Sequence, residues 1–186
     1  MDAFDAKTLW TILHLFGVVL GAGGAYLGDT LFFFSTRNGV LSAVELSFLK
    51  RMGSFVWVGL ALLLVSGIGL FLLDPERYLA SSKFISKMVI VAVIAANGIL
   101  FRTVHFKVLK SLIGVPFRSS KEFRRKGLFM LMSGAVSVVS WTSALVLGSL
   151  RSLPFTVGEI LGVYAVMVLC AVSAALVFRR FFLHHE

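Results

Sequence analysis

The sequence predicts an all-α polytopic membrane protein, in which residues 1–186 form a single domain built as a bundle of five transmembrane helices. Hydrophobic residues make up 58% of the chain and charged residues only 15%, which is more apolar than the roughly half-apolar composition of soluble domains. The apolar residues form five runs, each close to the ~20 residues that a helix needs to cross a bilayer. The lysines and arginines lie mostly in the gaps between these runs.

The first span is predicted at about residues 8–34. Trp10 stands near its start, where the bilayer interface favours amphipathic rings. The second span covers about residues 52–73, but its helix begins earlier, because Ser42 and Glu45 have the spacing of a capping box. This helix therefore starts in water, passes two basic residues and ends before a proline.

The last three spans are predicted at about residues 83–106, 127–150 and 156–178. The fourth is preceded by Ser119 and Glu122, and the fifth opens with Thr156 and Glu159. Both pairs have capping-box spacing. Each of these two helices is therefore expected to start at its serine or threonine.

The distribution of basic residues predicts the orientation. Seven lysines and arginines lie within residues 107–126, between the third and fourth spans. Cytoplasmic loops retain such residues, so this connection is expected in the cytoplasm, together with the tail that holds Arg179 and Arg180. The N-terminus is then outside and the C-terminus cytoplasmic, in a bacterial plasma (inner) membrane.

The basic connection at 107–126 also carries apolar residues, among them Leu109, Leu112 and Phe117. This mixture is typical of a segment that lies on anionic lipid headgroups. The formal net charge of +9 also raises the question of a nucleic-acid partner, but the basic residues stand between apolar runs and not on a soluble face. The predicted partners are the bilayer and its headgroups, with no nucleic acid, and a homo-oligomer is left open.

Small residues recur at helical spacing in several spans, where they let backbones approach closely. The fifth span begins such a stripe with Gly158 and Gly162. The longest stripe lies in the first span and consists of Gly17, Gly21, Gly24 and Gly28. The first, fourth and fifth spans are therefore expected to form the tightly packed centre of the bundle.

Two polar residues of the first span are costly at membrane depth and therefore informative. His14 shares the face of the glycine stripe, and its imidazole suits a haem or metal ligand, a proton carrier or a simple hydrogen bond to a neighbouring helix. Asp29 lies about 22 Å further along the helix, on a similar face. Its expected partner is Arg102, in an ion pair that either locks two helices or serves proton or ion passage.

The third span adds two further polar residues. Lys87 lies one turn inside the bilayer, where its long side chain is expected to reach water. Asn97 lies at mid-span, where an amide needs a partner on another helix. No second histidine is expected at the depth of His14, because the others lie near the opposite membrane face: His105, His184 and His185.

Several short motifs carry a likeness to a known group. They are the run His14-Leu-Phe-Gly, the pair Lys50-Arg51 before a helix that ends Ser66-Gly67, and the segment from Phe84 to Lys87. Over roughly its first hundred residues, the chain resembles the small bacterial membrane proteins around HemJ-type protoporphyrinogen oxidase and the CopD-like group. Three dipeptides also resemble parts of bacterial membrane proteins of unassigned function: Gly28-Asp29, Asn97-Gly98 and Ser140-Trp141.

The resemblance implies a helical bundle that binds haem b, with His14 as the ligand of the haem iron. It matches Lys87 to a basic residue near that site. Asn97 stands close to where a second histidine is expected. The implied cofactor-binding residues are thus His14, Lys87 and Asn97.

Three functions remain open from the sequence. The first is a redox protein, an oxidoreductase that holds haem b through His14 and passes electrons to or from a porphyrin or quinone. The second is a small ion or solute transporter or channel, in which His14, Asp29 and Asn97 mark a polar path. The third is a non-catalytic accessory subunit whose polar residues only fix helix packing.

Overall fold

The computed structural model describes residues 5–151 and 153–184, with side chains to residue 177. Arg179, Arg180, His184 and His185 therefore lie outside the described side chains. The regular structure is helical throughout: α1 (Ala6–Asn38), α2 (Ala43–Leu73), α3 (Pro75–Leu79), α4 (Ser82–Leu100), α5 (Phe106–Ser111), α6 (Lys121–Ser149) and α7 (Val157–His184). A π-helical turn, Phe101–His105, joins α4 to α5.

Five helical segments are long and apolar enough to cross a membrane: Ala6–Asn38, Ala43–Leu73, Ser82–Ser111, Lys121–Ser149 and Val157–Val177. The prediction of an all-α bundle with five membrane-spanning helices is confirmed. We call the end of the bundle that holds the start of α1 the N-terminal end. The opposite end, which holds the α1–α2 turn and residues 107–126, is the basic-loop end.

Polar caps begin the helices largely as predicted. The Ser42 hydroxyl accepts from the Glu45 amide at 3.1 Å while the Glu45 carboxylate accepts from the Ser42 amide at 2.7 Å. Thr156 and Glu159 make the same reciprocal pair before α7. At the first helix, the Thr8 amide donates to Asp5 at 2.7 Å, and hydrogen bonding by Thr8 lowers the pKa of Asp5.

The predicted cap at Ser119 is wrong by one residue. The Ser119 hydroxyl donates to the Pro116 carbonyl at 2.9 Å, so it belongs to the turn before the helix. Ser120 has the extended backbone of an N-cap, and its side chain accepts from the Phe123 amide. The helix consequently starts at Lys121.

The glycine stripe of α1 packs against α2. A Cβ placed on Gly59 would lie 2.3 Å from the Gly21 nitrogen and 2.7 Å from the Gly17 carbonyl oxygen, which is far inside van der Waals contact. A Cβ on Gly24 would lie 3.0 Å from the Met52 carbonyl oxygen. These backbone-to-backbone contacts form what we call the glycine seam between α1 and α2.

The fifth spanning helix does not use its glycines in this way, so the expectation for α7 is wrong. Among the described residues, no atom lies within 4 Å of a Cβ placed on Gly158 or Gly162. Instead, α7 packs on α6 and α4 through larger side chains, with Ile160 in the core and the Tyr164 hydroxyl 2.8 Å from the Ser140 hydroxyl. The tight pair is α1 with α2.

The basic connection folds back onto the bundle. Gly114 donates its amide to the Leu41 carbonyl at 2.9 Å, and Phe117 donates to the Gly39 carbonyl at 2.8 Å. Leu109, Leu112 and Phe117 are at most 2% exposed and form an apolar core with the α1–α2 turn. These three side chains are therefore not available to lipid headgroups, because the protein itself buries them. Contact of the segment 107–126 with anionic headgroups stays a prediction.

Candidate functional site: an unpartnered carboxylate and imidazole in one cavity

Two groups of polar side chains inside the bundle contain ionisable residues. The first group, near the N-terminal end, is what we call the His14 cluster: His14 on α1, Ser66 on α2 and Lys87 on α4. The Ser66 hydroxyl donates to the Leu62 carbonyl at 2.5 Å, so it can only accept from His14, whose Nδ1 lies 2.9 Å away. These bonds assign the Nδ1–H tautomer to the imidazole.

This tautomer leaves the lone pair of His14 Nε2 as an acceptor. Lys87 Nζ lies 3.5 Å from that nitrogen, so the ammonium group turns toward the histidine within the bundle. The expectation that Lys87 simply reaches water is wrong, although its neighbour Lys83 sits at the bundle end and donates to the Leu150 carbonyl at 2.5 Å. Each heteroatom of the His14 imidazole thus has a protein partner.

The second group surrounds a cavity nearer the basic-loop end, which we call the Asp29 cavity. Its volume is about 80 Å³, enough for about five water molecules. Five helices, α1, α2, α4, α5 and α6, and the π-helical turn contribute to its wall. The polar lining residues are Asp29, Asn97, His105, Ser133 and Ser137.

Two of these residues have no complete set of hydrogen bonds. Five buried polar side-chain atoms lack a partner among the described residues, and three of them are Asp29 Oδ2, His105 Nδ1 and His105 Nε2. The His105 side chain is only 3% exposed. The Ser137 hydroxyl bonds to the Asp29 carboxyl but leaves Oδ2 unpaired. Buried polar atoms are normally satisfied by protein groups, water or ions, so these three atoms mark the cavity as a candidate binding site.

The expected ion pair between Asp29 and Arg102 is absent, and that prediction is wrong. The Arg102 side chain is exposed, whereas Asp29 Oδ2 is buried without a partner. The reason lies in helix rotation. Phe101 and His105 both line the cavity, so the residue that follows Phe101 in this turn is rotated away from it.

Asn97 finds the interhelical partner that the sequence predicted. Its Nδ2 donates to the Ser133 carbonyl at 3.1 Å, and its Oδ1 accepts from the Ser133 hydroxyl at 2.5 Å. This reciprocal pair ties α4 to α6 at the wall of the Asp29 cavity. The three residues expected to bind one cofactor are therefore divided, since His14 and Lys87 meet in one cluster and Asn97 lies in the other.

An apolar layer separates the two groups. Trp141 on α6 is 3% exposed and packs its ring on Gly21, which lies between His14 and Asp29 on α1. At 1.5 Å per residue, Gly21 is about 10 Å from the level of His14 and about 12 Å from that of Asp29. Ala22, Leu60 and Ile90 belong to the same core cluster. The Asp29 cavity is lined by Trp141 at this level, and no residue of the His14 cluster contributes to its wall.

No protein-family model, curated protein or solved structure matches the chain. The resemblance to the HemJ-type and CopD-like group therefore stays a prediction. Among the described residues, no group of three or more histidine, cysteine, aspartate or glutamate side chains could hold a metal ion. His14 is also missing from the lining of the Asp29 cavity, and its Nε2 faces Lys87.

Sequence reasoning missed three residues of the site. His105 was expected only to be far from His14, but it is buried against Phe101 and Phe129, with ring centroids 6.3 and 5.3 Å away. Ser133 and Ser137 give the cavity its hydroxyls. Their signal was present as two serines four residues apart on α6, a spacing that places both on one face of a helix.

Proposed function

We propose that this protein is a small transporter, which carries an ion or small solute across a membrane through the Asp29 cavity. The observation that carries the proposal is the pair of unpartnered groups, Asp29 and His105, that line one cavity inside a membrane-spanning bundle. Ionisable groups at membrane depth are costly, and they commonly mark ion or substrate pathways. A carboxylate that no protein group neutralises is suited to a transient partner.

The apolar layer favours a carrier over an open channel. Trp141 closes the Asp29 cavity toward the N-terminal end, so a solute bound at Asp29 has no continuous polar route to the His14 cluster. In a carrier, the binding site opens to each side in turn. The His14 cluster would then be the polar vestibule on the other side of this barrier.

The exposed charges support an orientation for the proposed carrier. Lys107, Lys110 and Lys121 are exposed at the basic-loop end, as the cytoplasmic end of a membrane protein retains them. We therefore place this end and the C-terminus in the cytoplasm and the N-terminus outside, in the plasma (inner) membrane of a bacterium. The side chains of these exposed lysines lie outside the buried apolar core, so they are accessible to anionic headgroups and can bind them.

The test uses purified protein in proteoliposomes that contain a pH-sensitive dye. Inorganic cations, organic cations, anions and neutral solutes are added outside in turn, with and without an imposed membrane potential. We expect one class to drive proton movement, and we expect Asp29→Asn to abolish it. Arg102→Gln, which changes an exposed charge outside the cavity, is the matched control and should keep full activity. Absence of any Asp29-dependent movement would overturn the proposal and favour an accessory subunit.

Haem b binding through His14 is the second candidate. One observation favours it: the Nδ1–H···Ser66 hydrogen bond fixes the tautomer that leaves Nε2 for a metal, as in many ligating histidines. The donor set fits less well, because Nε2 faces the Lys87 ammonium at 3.5 Å and Asn97 is engaged elsewhere. A Soret band in the purified protein, lost in His14→Ala, would support this function. No band, even after haem titration, would remove it.

A further inference from the structure

Among the buried atoms of the Asp29 cavity that lack a partner in the described residues, acceptors outnumber donors by two to one. An ionised carboxylate has only acceptor atoms, and a neutral imidazole always keeps one acceptor nitrogen. Asn97 and Ser133 bond to each other, which leaves Asn97 one further amide hydrogen as a donor. Two of these three atoms, Asp29 Oδ2 and the acceptor nitrogen of His105, can therefore be completed by a ligand that brings N–H donors.

The charges of the lining residues also favour a cationic ligand. Among the residues that line the cavity, only Asp29 and His105 can titrate. The linings from α2, α5 and α6 contain neither acidic nor basic side chains, and α4 presents Asn97 and Gly98. A ligand that pairs with the carboxylate must therefore carry positive charge, since the wall has no lysine or arginine to do so.

The remaining wall suits an organic cation. Four aromatic side chains line the cavity: Phe32, Trp57, Phe101 and Trp141. Aromatic faces attract ammonium and guanidinium groups, and a planar guanidinium stacks on them particularly well. A hard metal cation would instead need several oxygen ligands, and the wall offers few that are not already bonded. The cavity holds about five waters, so the ligand must be small.

We infer that the Asp29 cavity binds a small monovalent organic cation with N–H donors, held between Asp29 and His105, which exchanges with a proton on the Asp29 carboxyl. The inference rests on the proposed function and names its substrate class. The exchange balances in charge: when the cation binds, the carboxyl releases one proton to the solution, and when the cation leaves, the carboxylate takes one up. The carboxylate cannot hold both, so the two fluxes are opposed.

Guanidinium is the probe, with urea as its neutral counterpart. The two molecules have the same planar shape and similar N–H donors, but guanidinium stays charged across the working pH range. Binding to the purified protein in detergent is measured by calorimetry at constant ionic strength. Proton release is followed with an indicator dye in weakly buffered solution. We expect guanidinium to bind with at least tenfold higher affinity than urea and to release protons.

Four variants locate the site. Asp29→Asn should weaken guanidinium binding at least tenfold and remove the proton release. His105→Phe should weaken binding about fivefold while the proton release per bound cation persists. Arg102→Gln should change neither. Asp29→Glu keeps the carboxylate and should keep measurable binding, so it tests the charge even if Asp29→Asn proves poorly folded.

The outcomes separate this inference from the proposed function. Equal binding of urea and guanidinium, or guanidinium binding that Asp29→Asn leaves unchanged, would overturn the inference. If anions, inorganic cations or neutral solutes drive Asp29-dependent proton movement in proteoliposomes and guanidinium does not, the transporter stands and its substrate class is wrong. If no solute does, both fail.

Discussion

The His14 cluster and the Asp29 cavity lie in one bundle, on similar faces of one helix, yet they treat their polar groups in opposite ways. In the cluster, both imidazole nitrogens have partners, at 2.9 Å from the Ser66 hydroxyl and 3.5 Å from the Lys87 ammonium. In the cavity, both nitrogens of His105 and one oxygen of Asp29 have no partner among the residues that the structure describes. The comparison teaches that polarity at membrane depth does not by itself indicate a site.

The difference has an energetic meaning. Satisfied hydrogen bonds between membrane helices contribute modestly, about 0.6 kcal/mol on average. A buried polar group without a partner costs about 1–3 kcal/mol. The His14 cluster is therefore expected to hold the bundle together, whereas the Asp29 cavity weakens it until a ligand or proton arrives.

The largest loss of stability is expected from Trp141→Ala, which removes the barrier between the His14 cluster and the Asp29 cavity. Truncation of a buried tryptophan costs about 3–5 kcal/mol, and the space left beside Gly21 would extend the Asp29 cavity toward His14. We expect a lower free energy of unfolding and a raised passive proton leak in proteoliposomes. Trp141→Phe, which keeps an aromatic ring there, should lose less stability and leak less. An unchanged leak in folded Trp141→Ala would show that the barrier lies elsewhere.

Gly59→Ala tests the glycine seam that carries both groups. The added Cβ would meet backbone atoms of Gly21 and Gly17, which cannot move aside as a side chain can. We expect a loss of about 3 kcal/mol, the upper end for overpacking, measured as unfolding in detergent. Gly23→Ala is the matched control, because no described atom lies within 4 Å of its Cβ, and it should stay within about 1 kcal/mol of wild type. Similar losses in both variants would contradict the seam.

Asp29→Leu and His14→Phe compare the two groups directly. Replacing the unsatisfied carboxyl by an apolar side chain should raise the free energy of unfolding by about 1–3 kcal/mol. The same substitution should abolish the proposed transport. Replacing the satisfied imidazole should lower it by about 1 kcal/mol. We therefore expect the two substitutions to change the free energy of unfolding in opposite directions in the same assay. Destabilisation by Asp29→Leu equal to that by His14→Phe would mean that the carboxyl has a structural partner.

The smallest energy is expected for the hydrogen-bonded pair in the wall of the Asp29 cavity. Asn97 and Ser133 exchange two hydrogen bonds between α4 and α6, so a double-mutant cycle with Asn97→Ala and Ser133→Ala should give a coupling energy of about 0.6–1.7 kcal/mol. Unfolding in detergent measures it. A pair taken from different groups, such as His14→Phe with Ser133→Ala, should be additive. A coupling near zero for Asn97 with Ser133 would contradict the reciprocal pair.

Composition and periodicity were sufficient to predict the spanning helices, because the bilayer imposes their length and apolar character. The capping boxes at Ser42 and Thr156 were predictable for a similar reason, since they depend on residues three apart. The local rule failed at Ser119, where the cap shifts to its neighbour because the chain first turns onto the bundle. That turn depends on distant contacts with Leu41.

The candidate site was less predictable because it depends on rotation about helix axes. Depth along the helix correctly placed Asp29 inside the bundle, but depth alone suggested Arg102 as its partner. The π-helical turn at Phe101–His105 decides which residues face inward there, and short motifs do not reveal such turns. Ser66 drew attention only as part of the resemblance, although it fixes the tautomer of His14.

The glycine seam also determines which parts of the protein can rearrange. Because the backbones of α1 and α2 touch directly at Gly17, Gly21 and Gly59, even slight sliding of one helix along the other would produce collisions or lost contact. We therefore expect the two helices to move as one rigid pair. In the proposed carrier, any movement that exposes Asp29 alternately to either side must therefore occur between this rigid pair and the group formed by α4, α6 and α7. There the helices pack through bulkier, more compressible side chains. Distance probes placed on α1 and α2 should stay constant through a cycle while those from α1 to α6 change.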